Sequence, residues 1–207
     1  MPWNPLQPAA PAFPIVVSGP SGVGKTVLVE KLIELEPTLV SSISATSRPM
    51  REGEKDGIHY HFYDVSRFEA LLAERGFLEH ARVHGHHYGT PRGPLEAHLA
   101  GGRGVVLNID VQGARQVRAS RPDAVLVFIL PPSRAALEER LRRRATDSDA
   151  EIRLRLQNAL GELEEAVHYD YAVVNDDVEA AGKRLLTIVR AERMRVTRMK
   201  GPGHGGA

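Results

Sequence analysis

Cysteine is absent from all 207 residues, which excludes a disulfide framework and any thiolate-ligated metal site and fits a reducing compartment. Charge of a dominant sign is also missing. Lysines and arginines number 27 against 26 acids, so the formal net charge of +1 argues for neither a nucleic acid nor a membrane partner, and any basic site must be local. No stretch approaches the roughly 20 apolar residues of a membrane span, and the first residues carry no basic flank leading into a long apolar run. A soluble, cytoplasmic protein is expected. There is no internal repeat, and the length suits one domain able to bury a sizeable core.

The stretch that organises the rest runs from Phe13 to Thr26, reading FPIVVSGPSGVGKT. Gly19, Pro20, Ser21, Gly22, Val23, Gly24, Lys25 and Thr26 fit the Walker A spacing. Its glycines let backbone N–H groups turn inward around a phosphate while the following helix adds its positive end. Lys25 would bridge the terminal phosphates of a bound nucleotide, and the Thr26 hydroxyl would sit on the accompanying magnesium ion. The flanks agree: Ile15 to Ser18 reads as a buried parallel strand, and Leu28, Leu32 and Leu35 recur at helical spacing from Thr26 to Glu36.

Prolines at 2, 5, 8, 11 and 14 make residues 1–14 an extended, disordered arm, and the Gly-rich residues 201–207 a disordered tail. Between them, Leu39 to Ser44 reads as a short strand, Ala45 to Ile58 as a polar loop, and Tyr60 to Tyr63 as a strand. Ser66-x-x-Glu69 reads as a capping box opening a helix, Phe77 to Val83 as a strand, and Pro91 to Ala100 as a helix with the proline in its first turn. Strands at Val105 to Asp110, Ala124 to Leu130 and Tyr171 to Val174 alternate with helices at Gly113 to Ser120, Ser133 to Arg144, Ser148 to Val167 and Val178 to Lys200. Such alternation predicts an α/β, three-layer fold with a parallel core sheet. The core covers 15–40, 103–140 and 168–200, an α+β lobe is inserted at 41–100, and a helical lid spans 141–160.

The second organised stretch is Thr46-Ser47-Arg48-x-x-Arg51-x-x-Glu54-x-x-Gly57-x-x-Tyr60-x-Phe62, whose two arginines beside a tyrosine suit a phosphate dianion or form a solvated loop. Asp110, closing a core strand, is a magnesium-holding candidate or the cap of the next helix. His80, His84, His86 and His87 read as exposed loop histidines, since no second ligand pair accompanies them.

Together with GPSGVGKT, that stretch resembles the signature of guanylate kinases, and the likeness continues through GFLEHARVHGHHYGT, NIDVQGA, ERLRRRATDSDAEIRLRL and HYDYAVVNDD, covering nearly everything between Phe13 and Lys200. The resemblance implies a P-loop nucleoside monophosphate kinase that moves the γ-phosphoryl group of ATP to GMP, and to dGMP, with Mg2+. In that reading the lobe at 41–100 binds GMP. Its phosphate would be gripped by Arg48, Arg51, Tyr60 and Tyr88, and its guanine read by Ser44, Glu79 and Thr90. Arg140, Arg144 and Arg155 would close over the transferring phosphate, and Asn175 would contact the adenine of ATP.

Two departures stand out: Asn108 where many relatives carry an acid, and Ala145 where they often carry glycine. Two other readings remain at this stage, a catalytically inactive protein-binding module of the same fold and a phosphate-loop kinase for another acceptor. Neither composition nor motif fixes the number of subunits.

Overall fold

The computed structural model describes residues 12–83, 85–142 and 149–199. Nine strands and seven α-helices are present among them, in the order β1 (Pro14–Ser18), α1 (Lys25–Leu35), β2 (Leu39–Ser41), β3 (Ala45–Thr46), β4 (His61–Phe62), α2 (Val65–Ala73), β5 (Phe77–Val83), β6 (His86–Pro91), α3 (Arg92–Ala100), β7 (Gly104–Asn108), α4 (Val111–Ser120), β8 (Val125–Leu130), α5 (Arg134–Arg142), α6 (Asp149–Leu163), β9 (Tyr171–Val174) and α7 (Val178–Arg193).

Five strands pair in parallel, in the order β2-β7-β1-β8-β9. Every residue of β1 is buried, as the apolar run PIVV requires of a strand covered on both faces. The two-residue period then divides its side chains. Ile15 and Val17 join Leu28, Leu32, Leu185 and Val189 under α1 and α7, while Val16 joins Leu95, Leu107, Ala114 and Val117 under α3 and α4. Helices on both faces of a parallel sheet complete three layers.

A second, four-stranded sheet of order β4-β3-β6-β5 stands apart from the first, its strands pairing antiparallel except β3 with β4. It has its own small core, in which the rings of Phe68 and Phe77 stack 4.2 Å apart beside Ala45. Helices α5 and α6 meet through Leu137, Leu141, Leu156 and Ala159.

Several local expectations are corrected. The cap of α2 is Asp64, whose side chain accepts the N–H of Arg67, so Ser66 lies inside the first turn and forms no capping box. Strand β2 stops at Ser41, and β7 stops at Asn108, leaving Asp110 to cap α4 by accepting from Gly113. Pro91 is the last residue of β6 and the N-cap of α3, outside its first turn. Strand β6 is absent from the sequence reading because its histidines and glycine give no apolar alternation; its hydrogen-bonded register against β5 creates it. His86 and His87 therefore lie in a strand, with His87 stacked 5.1 Å from Phe68. Helix α6 ends at Leu163 in a 3-10 turn, and α7 ends at Arg193. Residues 1–11 of the arm, His84, Arg144, Ala145, Ser148 and the tail lie outside the described residues.

Candidate active site

The loop from Gly19 to Thr26 joins the C-terminal end of β1 to the first turn of α1. Gly24 adopts φ 95°, and a Cβ there would fall 2.7 Å from Nδ2 of Asn175, so both backbone and space demand glycine. As N-cap it offers no side chain to the first N–H groups of α1, which are left for an anion. The Lys25 ammonium folds back onto the carbonyls of Gly19 and Pro20, at 2.6 and 3.1 Å.

Two expected site residues brace this loop from outside. Asn175 is buried and donates from Nδ2 to the Val23 carbonyl at 2.7 Å. Arg140 donates to the same carbonyl at 3.1 Å and to the Asn175 carbonyl at 2.9 Å, which brings α5 against the loop. Arg155 is half-buried on α6, and Arg144 falls outside the described residues. Asn175 thus points at the phosphate loop in this structure. The neighbouring Asp176 pairs with Arg184 at 2.6 Å.

Next to the loop is a cleft of about 270 Å³ between the two sheets, lined by Ser44, Tyr60, Glu79 and Tyr88 from one side and by Asn108, Ile109 and Asp110 from the other. Glu79 is buried, and its strand register sets it opposite Thr90, whose hydroxyl donates to Oε1 at 2.6 Å. Burial pushes the Glu79 carboxyl up, an effect that Thr90 partly offsets and the charge of Asp110 reinforces. Tyr60 and Tyr88 meet edge to face, with ring centres 6.0 Å apart.

Arg48 lies beneath Tyr60, its guanidinium carbon 5.3 Å from the ring centre. Glu54 grips the guanidinium in a two-pronged contact at 2.7 and 2.6 Å, and the Pro49 carbonyl accepts a third bond at 2.8 Å. The arginine beside it, helped by the Arg51 N–H, holds the Glu54 carboxyl at about 2. The Arg51 side chain itself is exposed. Glu54 was visible in the sequence only as a spacing residue; its function in orienting Arg48 emerges from the fold.

Asn108 connects the two halves. It lines the cleft, and its Nδ2 donates to Thr26 Oγ1 at 3.1 Å. The polar partner of Thr26 is therefore Asn108, while Asp110 faces the cleft that holds Glu79. Among the described residues no three His, Asp or Glu side chains gather as a metal cage, the histidines of the second sheet included. Oxygen donors near the loop include the hydroxyl of Thr26, the side-chain oxygen of Asn108 and the Asp110 carboxylate lining the same cleft, hard oxygens that suit Mg2+.

Glu162 and Gly113 also belong to the site, and sequence reasoning passed over both. Glu162, on α6, accepts the Ser21 N–H at 3.1 Å, and burial pushes its carboxyl up. Gly113 lies so close to Glu79 that a Cβ would sit 2.9 Å from Oε2. Gly113 falls within the NIDVQGA stretch, but its role, like that of Glu162, depends on a contact distant in sequence.

A five-stranded parallel sheet with a glycine loop after its first strand and a second sheet across a cleft defines a phosphate-loop kinase. Three comparisons narrow the class. The family model described as guanylate kinase matches residues 12–192. The guanylate kinase of Carboxydothermus hydrogenoformans is 47% identical over 185 residues, 89% of this chain and 91% of its own, and that of Methylococcus capsulatus is 50% identical over 183 residues, 88% and 90% of the two chains. The crystal structure of guanylate kinase from Anaplasma phagocytophilum superposes with a TM-score of 0.75 at 36% identity, covering 95% of this chain and 93% of that one. The chain belongs to the guanylate kinase family.

Proposed function

We propose that the protein transfers the γ-phosphoryl group of ATP to GMP, giving ADP and GDP, and accepts dGMP as well. The observation that carries this reading is the placement of Asn108, which touches Thr26 of the phosphate loop and also lines the cleft holding Glu79. Donor and acceptor pockets are thereby adjacent.

Guanine presents neighbouring N–H donors at N1 and N2, which one carboxylate accepts together; adenine offers a ring acceptor there and leaves a buried carboxylate unpaired. Glu79, with Thr90 behind it, provides that carboxylate, and Ser44 and Asp110 line the same pocket. Arg48, held at a fixed angle by Glu54, and Arg51, Tyr60 and Tyr88 serve the acceptor phosphate. The lobe at 41–100 is in this reading the GMP-binding unit.

No base is required. The attacking group is a phosphate oxygen whose second ionisation lies near 6, so it is largely anionic at neutral pH. The work left to the protein is alignment of two repelling polyanions and supply of positive charge. Lys25 leaves the carbonyls of Gly19 and Pro20 for the donor phosphates, and Arg140 at the end of the core, with Arg144 and Arg155 of the lid at 141–160, adds positive charge to the transferred group. Thr26 and Asp110, with Asn108 beside Thr26, would hold magnesium, which would supply charge neutralisation at the transferred group. Closing the second sheet and α6 over the cleft excludes water as a rival acceptor.

Phosphorus NMR of a mixture of ATP, GMP and Mg2+ tests the reading. The protein should generate GDP and ADP in equal amounts, Lys25→Met should generate neither, and ADP formation independent of GMP would contradict it.

A further inference from the structure

A carboxylate in a phosphate loop is out of place. Backbone N–H groups in such a turn are arranged for an anion, and here the Ser21 N–H is already taken at 3.1 Å by Oε2 of Glu162, which comes from α6 some 141 residues away. The group is half-buried. Lys25 on α1 acts on it favourably and Asp110 at the start of α4 unfavourably. Two anions cannot share this N–H at low cost.

Its place on α6 gives the contact a mechanical meaning. Ile152, Leu156 and Ala159 form the buried face of that helix, and the last two pack on Leu137 and Leu141 of α5. Arg155 precedes Glu162 by seven residues, two helical turns, so the two share one side of α6. A cation and an anion thus lie on one side of α6, and the anion accepts the Ser21 N–H.

We propose that Glu162 is a built-in stand-in for a donor phosphate: it ties α6 to the loop at Ser21, and the polyphosphate of the donor must displace it before α6 moves over the cleft. Arrival of the donor then exchanges a carboxylate contact for a phosphate contact with Arg155 along the same helix. Glu162 is a positioning residue that lowers donor affinity and makes release of α6 conditional on a bound polyphosphate. The inference rests on the loop binding ATP.

Calorimetric titration of the full chain with ATP, with tripolyphosphate and, separately, with GMP provides the test, using Glu162→Gln and Glu162→Ala. Alanine is the best helix former, so the second variant keeps α6 intact. The proposal expects both variants to bind ATP and tripolyphosphate about tenfold more tightly than the unaltered chain, with GMP affinity unmoved, a pattern that a merely structural tie does not produce. Unchanged or weaker ATP binding in the folded variants overturns it and leaves the proposed activity standing. Absence of ATP binding in the unaltered chain overturns both.

Discussion

Thr90 donates a 2.6 Å hydrogen bond to Glu79 across adjacent antiparallel strands, and this fixes a buried carboxylate at the wall of the cleft. The bond is made to Oε1, while Oε2 lies against Gly113 of α4. Glu79→Gln replaces an acceptor with an amide donor against the guanine N–H groups, so kcat/KM for GMP should fall about a hundredfold or more while ATP affinity stays within twofold. Equal losses for both nucleotides would remove Glu79 from guanine recognition.

The same burial has a pH consequence. Because the folded protein raises the Glu79 carboxyl, it binds this proton more tightly than the unfolded chain does; the group favours folding at low pH and costs stability as pH rises between the unfolded value of about 4.3 and the raised folded value. Glu79→Gln should therefore raise the melting temperature at pH 7 while it impairs GMP use. GMP affinity of the unaltered chain should weaken as pH falls through the raised value. A calorimetric scan and a GMP titration against pH check the two signs.

Gly113 abuts the Glu79 carboxylate, where a Cβ would lie 2.9 Å from Oε2. Gly113→Ala suits helix α4 by propensity yet pushes the carboxylate off its line. KM for GMP should rise about tenfold with KM for ATP unchanged. Steady-state kinetics with each substrate varied in turn separates these effects.

Glu54 is lowered to about 2 by Arg48, so the pair's contribution to the second sheet is present above the unfolded carboxylate value of about 4.3 and is lost as pH falls through about 2. A carboxyl carbon NMR titration should find the Glu54 midpoint near 2. Arg48→Lys keeps the charge but loses the two-pronged fork, so the midpoint should move upward and KM for GMP should rise about tenfold. An unmoved midpoint would detach Glu54 from Arg48.

Asn108 bonds to the Thr26 hydroxyl without contributing a negative charge. Asn108→Asp introduces one beside Thr26, the residue proposed to hold magnesium, and Mn2+ affinity of the ATP complex, followed by electron spin resonance, should rise about tenfold. No change would place Asn108 outside the metal's surroundings.

Much of this was legible in the sequence because local rules decide it. PIVVS, a short β-branched run ahead of a glycine loop, reads as a strand buried on both faces, and GPSGVGKT needs its glycines wherever a phosphate approaches. Glu79, Thr90, Tyr60, Tyr88 and Ser44 were named from their resemblance to a family, and all but Thr90 line the cleft, with Thr90 bonded just behind it. What the sequence hid depends on tertiary contacts. Strand β6 exists through its pairing with β5, and Asn175 turned out to brace Val23 because β9 ends beside the loop. Asp110 reads in the sequence as a magnesium holder or a helix cap, and the structure shows it capping α4 while also lining the cleft. Glu162 is one acid among many in an acidic helix turn until α6 is laid against the loop.

The central claim is that one buried carboxylate selects the purine that receives phosphate. The direct measurement is kcat/KM for ADP release with GMP, AMP and UMP as acceptors, using saturating ATP and Mg2+. The account predicts that GMP exceeds both others by at least about a thousandfold and that Glu79→Gln collapses this preference. Comparable rates with AMP, or a preference for GMP that survives loss of the Glu79 charge, would contradict it.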